Sequence, residues 1–170
     1  MKKLAILVAL ALCAFPLFGQ KLSKEEKAAQ AQARYEAALA ALNEKAWVLV
    51  PQEYTTPDGL VETNSSNSFF LSYERDKVLG RGWFIVDNRE NNVAEVTKYE
   101  VKVDKKGNVK VTMSVLGRMW KGTYKINMRK GDNQAEVTYT PVGNGKSFLR
   151  FQGPIEPLAS ADYQKMANPI

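Results

Sequence analysis

Two periodicities divide this chain. Between Ser23 and Ala46 apolar residues recur at spacings of three and four, with Tyr35, Ala38, Leu39, Leu42 and Ala46 on one narrow face and Lys, Glu, Gln and Arg opposite. That spacing predicts a helix. Ser23 followed by Glu26 fits a capping box, in which each side chain satisfies a free backbone N–H at the helix start. The alanine-rich face suits a helix that covers an open sheet or a barrel mouth. From Trp47 onward the period falls to two, and strands are expected. Trp47 to Val50 is a first short strand stopped by Pro51. Residues 54 to 68 read as a turn-rich loop because of Pro57-Asp58-Gly59 and Asn64-Ser65-Ser66-Asn67. Phe69 to Glu74 and Val78 to Val86 form a hairpin around Arg75-Asp76-Lys77, and Asp87 to Asn92 is a polar loop.

The second half carries enough turn chemistry to set strand registers. A three-residue loop with Gly107 left-handed pairs Val103 with Val109, Val101 with Val111 and Tyr99 with Met113. A two-residue turn at Leu116-Gly117 places Met113 opposite Trp120 and Val109 opposite Tyr124. A turn at Lys130-Gly131 pairs Ile126 with Ala135 and Tyr124 with Val137, with Lys125 facing Glu136. A loop at Gly143-Asn144-Gly145 sets Tyr139 against Leu149 and Val137 against Phe151. Each register keeps one face apolar, and a one-residue slip would turn a strand inside out. The expected fold is mainly β with one long N-terminal helix (α+β). Its sheet is a curled antiparallel meander of about eight strands, a half-open barrel or sandwich-like. The expected segments are a helix over 20–46 packed on the sheet, an antiparallel domain over 47–153 and a tail over 154–170 with one helical turn near Ser160 to Lys165.

Composition narrows the chemistry. There is no histidine, and the one cysteine is Cys13. Cys/His zinc sites, thiol nucleophiles and an imidazole base are therefore excluded from the chain beyond it. Lys2 and Lys3 precede an uncharged apolar run, Leu4 to Phe18, with the layout of an export signal. A spanning helix needs about 20 apolar residues, and polar residues arrive first. Residues 1–19 are expected to be removed, with cleavage after Gly19 or after Ala14. Leu12 just before Cys13 argues against lipid attachment. An exported product, periplasmic or extracellular, follows, with no membrane span once the signal is gone. Loss of Lys2 and Lys3 lowers the formal net charge from +6 to +4. That charge is too mild to imply nucleic acid.

The run Tyr99-Glu-Val-Lys-Val-Asp-Lys-Lys-Gly-Asn-Val-Lys-Val-Thr-Met-Ser-Val-Leu-Gly117, then Ala135 to Pro141 and Phe151-Gln-Gly-Pro-Ile-Glu-Pro-Leu158, resembles the exported domain-of-unknown-function 4251 family of Bacteroidota. The order of parts is also similar: export signal, alanine-rich helix, then a glycine-punctuated sheet. The resemblance implies origin and architecture, and carries no activity or site residues.

Candidate chemistry is sparse. Gly143-Asn-Gly-Lys-Ser147 imitates a P-loop end, but Thr140 stands where a glycine is needed and a strand follows. Gly80-Arg-Gly82 reads as a strand twist or bulge. The carboxylates Asp58, Glu62, Asp87, Glu90 and Glu95 lie in or beside loops, and Asp87 to Asn92 lacks the glycine and spacing of an EF-hand. Lys98, Lys102, Lys110, Lys121 and Lys125 share the polar face with Glu100 and Glu136, mixed signs that suggest a solvated face. Gly122 lies on the apolar face between Trp120 and Tyr124, where a missing side chain leaves space for a ligand, a covering helix or a bend. With Tyr139 these make the expected ligand site: Trp120, Gly122, Tyr124 and Tyr139. No metal or cofactor is expected. The sequence implies a non-enzymatic exported binding or interaction module of the cell envelope, serving a small apolar ligand or an envelope protein partner. A structural component with a filled core, or a carboxylate-dependent hydrolase, are the alternatives.

Overall fold

The computed structural model describes residues 22–86, 88–118, 120–143 and 149–164. The expected leader, Cys13 and both cleavage positions lie outside them. Helix α1, Lys24–Glu44, starts at Ser23, whose Oγ accepts from Glu26 N while the Glu26 carboxylate accepts from Ser23 N. It ends at Lys45, which takes a left-handed conformation and donates back to the last turn.

Among the described residues ten strands follow, interrupted by one helical turn. Strands β1 (Trp47–Leu49), β2 (Glu53–Thr55), β3 (Val61–Thr63), β4 (Phe70–Glu74) and β5 (Lys77–Gly82) lead into helix α2 (Trp83–Val86). After it come β6 (Asn88–Val103), β7 (Val109–Leu116), β8 (Lys121–Met128), β9 (Gln134–Pro141) and β10 (Leu149–Pro157). Neighbour pairing runs β1-β4-β5-β6-β7-β8-β9-β10, and β10 pairs back onto β1. Eight strands thus close an antiparallel barrel, and closure removes the edges that an open sheet would expose. The β2–β3 hairpin adds to β10 from outside this ring.

Several registers match the turn chemistry. Val103 faces Val109 and Tyr99 faces Met113, with Gly107 at φ 86°. Tyr139 faces Leu149 and Val137 faces Phe151. Two hairpins differ from expectation. Met113 faces Tyr124, not Trp120, because Gly117 N donates to Trp120 O and β8 starts only at Lys121. Ile126 faces Val137, not Ala135, and Asn127, not Lys125, faces Glu136. Both shifts are even numbers of residues, so the inward face is unchanged. The turn-rich 54–68 stretch holds the β2–β3 hairpin, and the β4–β5 turn is the two-residue Arg75-Asp76, both at positive φ. Strand β10 continues through Pro157. A turn, not a helix, follows at 158–160, and Lys165 lies outside the described residues.

Both ends of the barrel are stoppered. Helix α1 lies against the end that carries the β6–β7 turn, where Tyr35 donates to Gly107 O at 2.6 Å, and it buries Tyr35, Ala38, Ala41 and Leu42. Helix α2 buries Phe84, Ile85 and Val86 near the other end. A second, smaller apolar cluster lies outside the ring, where Leu158, Ala161 and Tyr163 of the C-terminal segment cover Val48, Phe70 and Leu79.

Candidate functional site

Alternation on β8 and β9 sends Gly122, Tyr124, Ile126, Val137 and Tyr139 into the barrel. The four residues expected to line a ligand site are therefore brought together. Tyr124 is fully buried, Trp120 2% exposed and Tyr139 4% exposed. Tyr124 and Tyr139 are directly opposite on adjacent strands and their rings stack at 4.5 Å. Trp120 meets Tyr124 edge-on, 6.1 Å between centroids. The space that Gly122 leaves is taken by Tyr139. A Cβ built on Gly122 would come 2.5 Å from Tyr139 Cε2 and would also meet Thr140 O. Gly80, on the facing wall, gives room in the same way to the Trp120 ring, 2.8 Å from its virtual Cβ.

These side chains are tied by a hydrogen-bond relay. Trp120 Nε1 donates to Tyr124 Oη at 3.1 Å, and Tyr124 Oη donates to Ile85 O of α2 at 2.5 Å. The same device recurs with α1: Trp47 Nε1 donates to Tyr99 Oη at 3.0 Å, and Tyr99 Oη donates to Leu42 O at 2.8 Å. Each relay fixes one stopper to the wall through an indole, a phenol and a helix carbonyl. A buried indole N–H or carbonyl without a partner costs about 1–3 kcal/mol, so the relays set side-chain positions as well as adding stability.

Burial raises the Tyr124 phenol well above its ordinary range, with Tyr139 adding to the effect, and burial likewise raises Tyr99. Tyr73 and Tyr163 shift the same way, again mainly by burial. The phenols of an unfolded chain ionise near pH 10. Below that pH they are neutral in both states and their stabilising contribution is complete. Above it the unfolded chain releases protons that the native barrel retains, so stability falls. The expected result is a melting temperature that declines from about pH 10 upward, with the ionisation of Tyr99 and Tyr124 in an ultraviolet titration delayed until the barrel unfolds. Tyrosines that all ionise near pH 10 in the native state would contradict this.

The described acids offer no centre. Asp58 and Glu62 belong to the β2–β3 hairpin, where Glu62 is bonded by the Tyr54 hydroxyl. Glu95 sits on β6 opposite Lys77. Asp87 and the Glu90 side chain lie outside the described residues, as does most of the P-loop imitation, residues 144–148. Among the described residues, no three Asp or Glu gather as a metal site would require. No helix among them is long and apolar enough to cross a membrane. Gly80 and Gly82 bracket a register irregularity between β5 and β6, as a bulge would.

Open concavities are found on the outside of the wall. The larger, about 1280 Å³, crosses β6 to β10 and includes Lys102, Lys110, Asn127, Gln134, Glu136 and Gln152 among its lining residues. A smaller one of about 330 Å³ continues from Glu136 and Gln152 to Glu53 and Arg150 beside β2. The sequence showed these side chains as polar. It did not show that they share one trough, because that depends on the registers of five strands.

No family model matches the chain, and no curated protein is significantly similar to it. Among solved structures, the fold is similar to the crystal structure of a DUF4251 family protein from Bacteroides eggerthii. The two share 22% identity and a TM-score of 0.65, over 79% of this chain and 94% of that one. The likeness is one of fold, and that neighbour carries the family description to which the sequence resemblance was drawn.

Proposed function

We propose that this chain, with the fold of a DUF4251 family protein, is an exported interaction module that engages its partner with the outside of a packed barrel and carries out no catalysis. The observation that supports this reading is the Gly122 position: the gap that this glycine opens on the inner face is filled by the ring of Tyr139. A barrel of eight strands is just wide enough for side chains to fill or for one small ligand to occupy. Here Trp120, Tyr124 and Tyr139 occupy that width, and α1 and α2 stopper the ends. The interior then serves stability, and recognition falls to the outer troughs. The export-signal layout of residues 1–19 in the sequence supports an envelope or extracellular setting.

A thermal-shift series with fatty acids, sterols and porphyrins tests the reading, since a ligand that binds only the native state must raise the midpoint. The expected result is no shift with any of them. A saturable rise accompanied by a change in tryptophan emission would place a ligand inside the barrel and overturn the reading.

A further inference from the structure

The β2–β3 hairpin leaves a strand edge open. Among the described residues, β3 stands last in the sheet order and pairs only with β2. Thr56 N donates to Leu60 O and Asn64 N donates to Gln52 O, which marks the hydrogen-bonded pairs of the hairpin. Alternation then turns the N–H and C=O of Val61 and Thr63 away from β2. All of β3 is exposed, Val61 by 67%, and Leu60 just before it is 61% exposed. An extended segment with unpaired main-chain groups is a template for an added strand. Lysine or proline often guards such an edge, and β3 carries neither. It is only three residues long, so side chains must supply part of any affinity.

Charge says which strand fits. Residues 46–74 contain no Lys or Arg, whereas the chain as a whole has a formal net charge of +6. The hairpin carries Glu53 on β2, Asp58 in the turn and Glu62 on β3. None of these acids has an ion-pair partner among the described residues. Glu62 is bonded by the Tyr54 hydroxyl, and its carboxylate retains capacity for further donors. Arg150, two strands away on β10, is in register with Thr55 and Val61, which places it on the face opposite Glu62. A second copy of the chain fits poorly. Antiparallel pairing of β3 with itself through both Val61 and Thr63 sets Glu62 against Glu62, and like charges so placed repel.

We propose that β3 accepts a basic, extended segment of a partner polypeptide as an added strand, with main-chain bonds to Val61 and Thr63, a Lys or Arg opposite Glu62 and an apolar residue opposite Val61. The proposal rests on the reading that recognition occurs outside the barrel. The smaller trough, lined in part by Val61, borders this edge.

The test uses the full chain and three labelled peptides: Thr-Val-Lys-Val-Lys-Val-Thr, its counterpart with Glu for Lys, and one with Pro for Val that keeps the charge but loses strand donors. Only the first should bind, with slower hydrogen exchange at the Val61 and Thr63 amides. Thr63→Pro removes an outward N–H that the hairpin does not use, and Glu62→Lys reverses the charge on the edge. Each variant should keep the parent's fold and weaken binding about tenfold or more, equivalent to about 1.4 kcal/mol. No binding of the first peptide at low salt, equal binding of either control, or undiminished binding by both variants would overturn the proposal. So would self-association of the protein that Thr63→Pro abolishes, since the occupant would then be a second copy. Because the apolar-ligand series reads the interior separately, either idea can fail while the other stands.

Discussion

Gly122→Ala is expected to destabilise the barrel by about 3 kcal/mol, at the upper end of what overpacking a core costs. For a domain of this size that is a fall of roughly 10 °C in melting temperature. The added methyl would press on Tyr139 Cε2 and Cζ and on the Thr140 carbonyl. A flexible side-chain end could swing aside, but Tyr139 is held by its stack on Tyr124 and Thr140 O is backbone. The substitution separates two meanings of this glycine. If Gly122 left room for a ligand, alanine would be tolerated by the free protein and would alter only binding. If it leaves room for Tyr139, alanine damages the free protein itself. A thermal melt of the unliganded variant decides between them, and a loss below about 0.5 kcal/mol, the range of neutral surface changes, would contradict the packed interior.

Tyr124→Phe is expected to cost a similar amount, about 3 kcal/mol, although it removes a single oxygen. That oxygen accepts from Trp120 and donates to Ile85 O, so its loss leaves an indole N–H and a helix carbonyl unpaired at once, at about 1–3 kcal/mol each. The site is fully buried, so water does not replace the lost partner without rearrangement. Urea denaturation should show a lower midpoint with an unchanged slope, the sign of altered stability in an otherwise similar fold. Because Ile85 belongs to α2, hydrogen exchange should quicken first in residues 83–86. A variant as stable as the parent would mean that the relay does not anchor the stopper.

How far the fold was legible follows from what alternation can and cannot encode. The inward positions on β7 to β9 were readable, because burial of Val111, Met113, Tyr124, Ile126 and Val137 requires period two. The β6–β7 and β9–β10 registers were readable as well. Gly107 takes a left-handed conformation in a short loop, which leaves little choice of pairing. The β7–β8 and β8–β9 registers were not. A slip of two or four residues keeps every side chain on its face, so hydrophobic pattern is blind to it. Gly117 marks a turn without giving its length. The β2–β3 hairpin was missed because Glu53-Tyr54-Thr55 and Val61-Glu62-Thr63 are short, the first half-buried and the second exposed, with little apolar alternation to report them. Closure through β1 and β10 joins residues 47–49 to 155–157, a pairing with no local signature.

The candidate site divides in the same way. Trp120, Gly122, Tyr124 and Tyr139 were identifiable as one inward group, and the structure gathers them. Whether the group encloses a space could not be read, since it depends on where the Tyr139 ring leans relative to Gly122. The outer trough needed still more, because Lys102 and Gln152 become members of one row only through four successive pairings.

The central claim is that the barrel holds no room for a guest, and a crystal structure of the protein under xenon pressure tests it most directly, since xenon enters dry apolar cavities of even modest size. The account predicts no xenon among Trp120, Gly122, Tyr124 and Tyr139. A well-occupied xenon atom in that group, with Tyr139 displaced from Gly122, would contradict it.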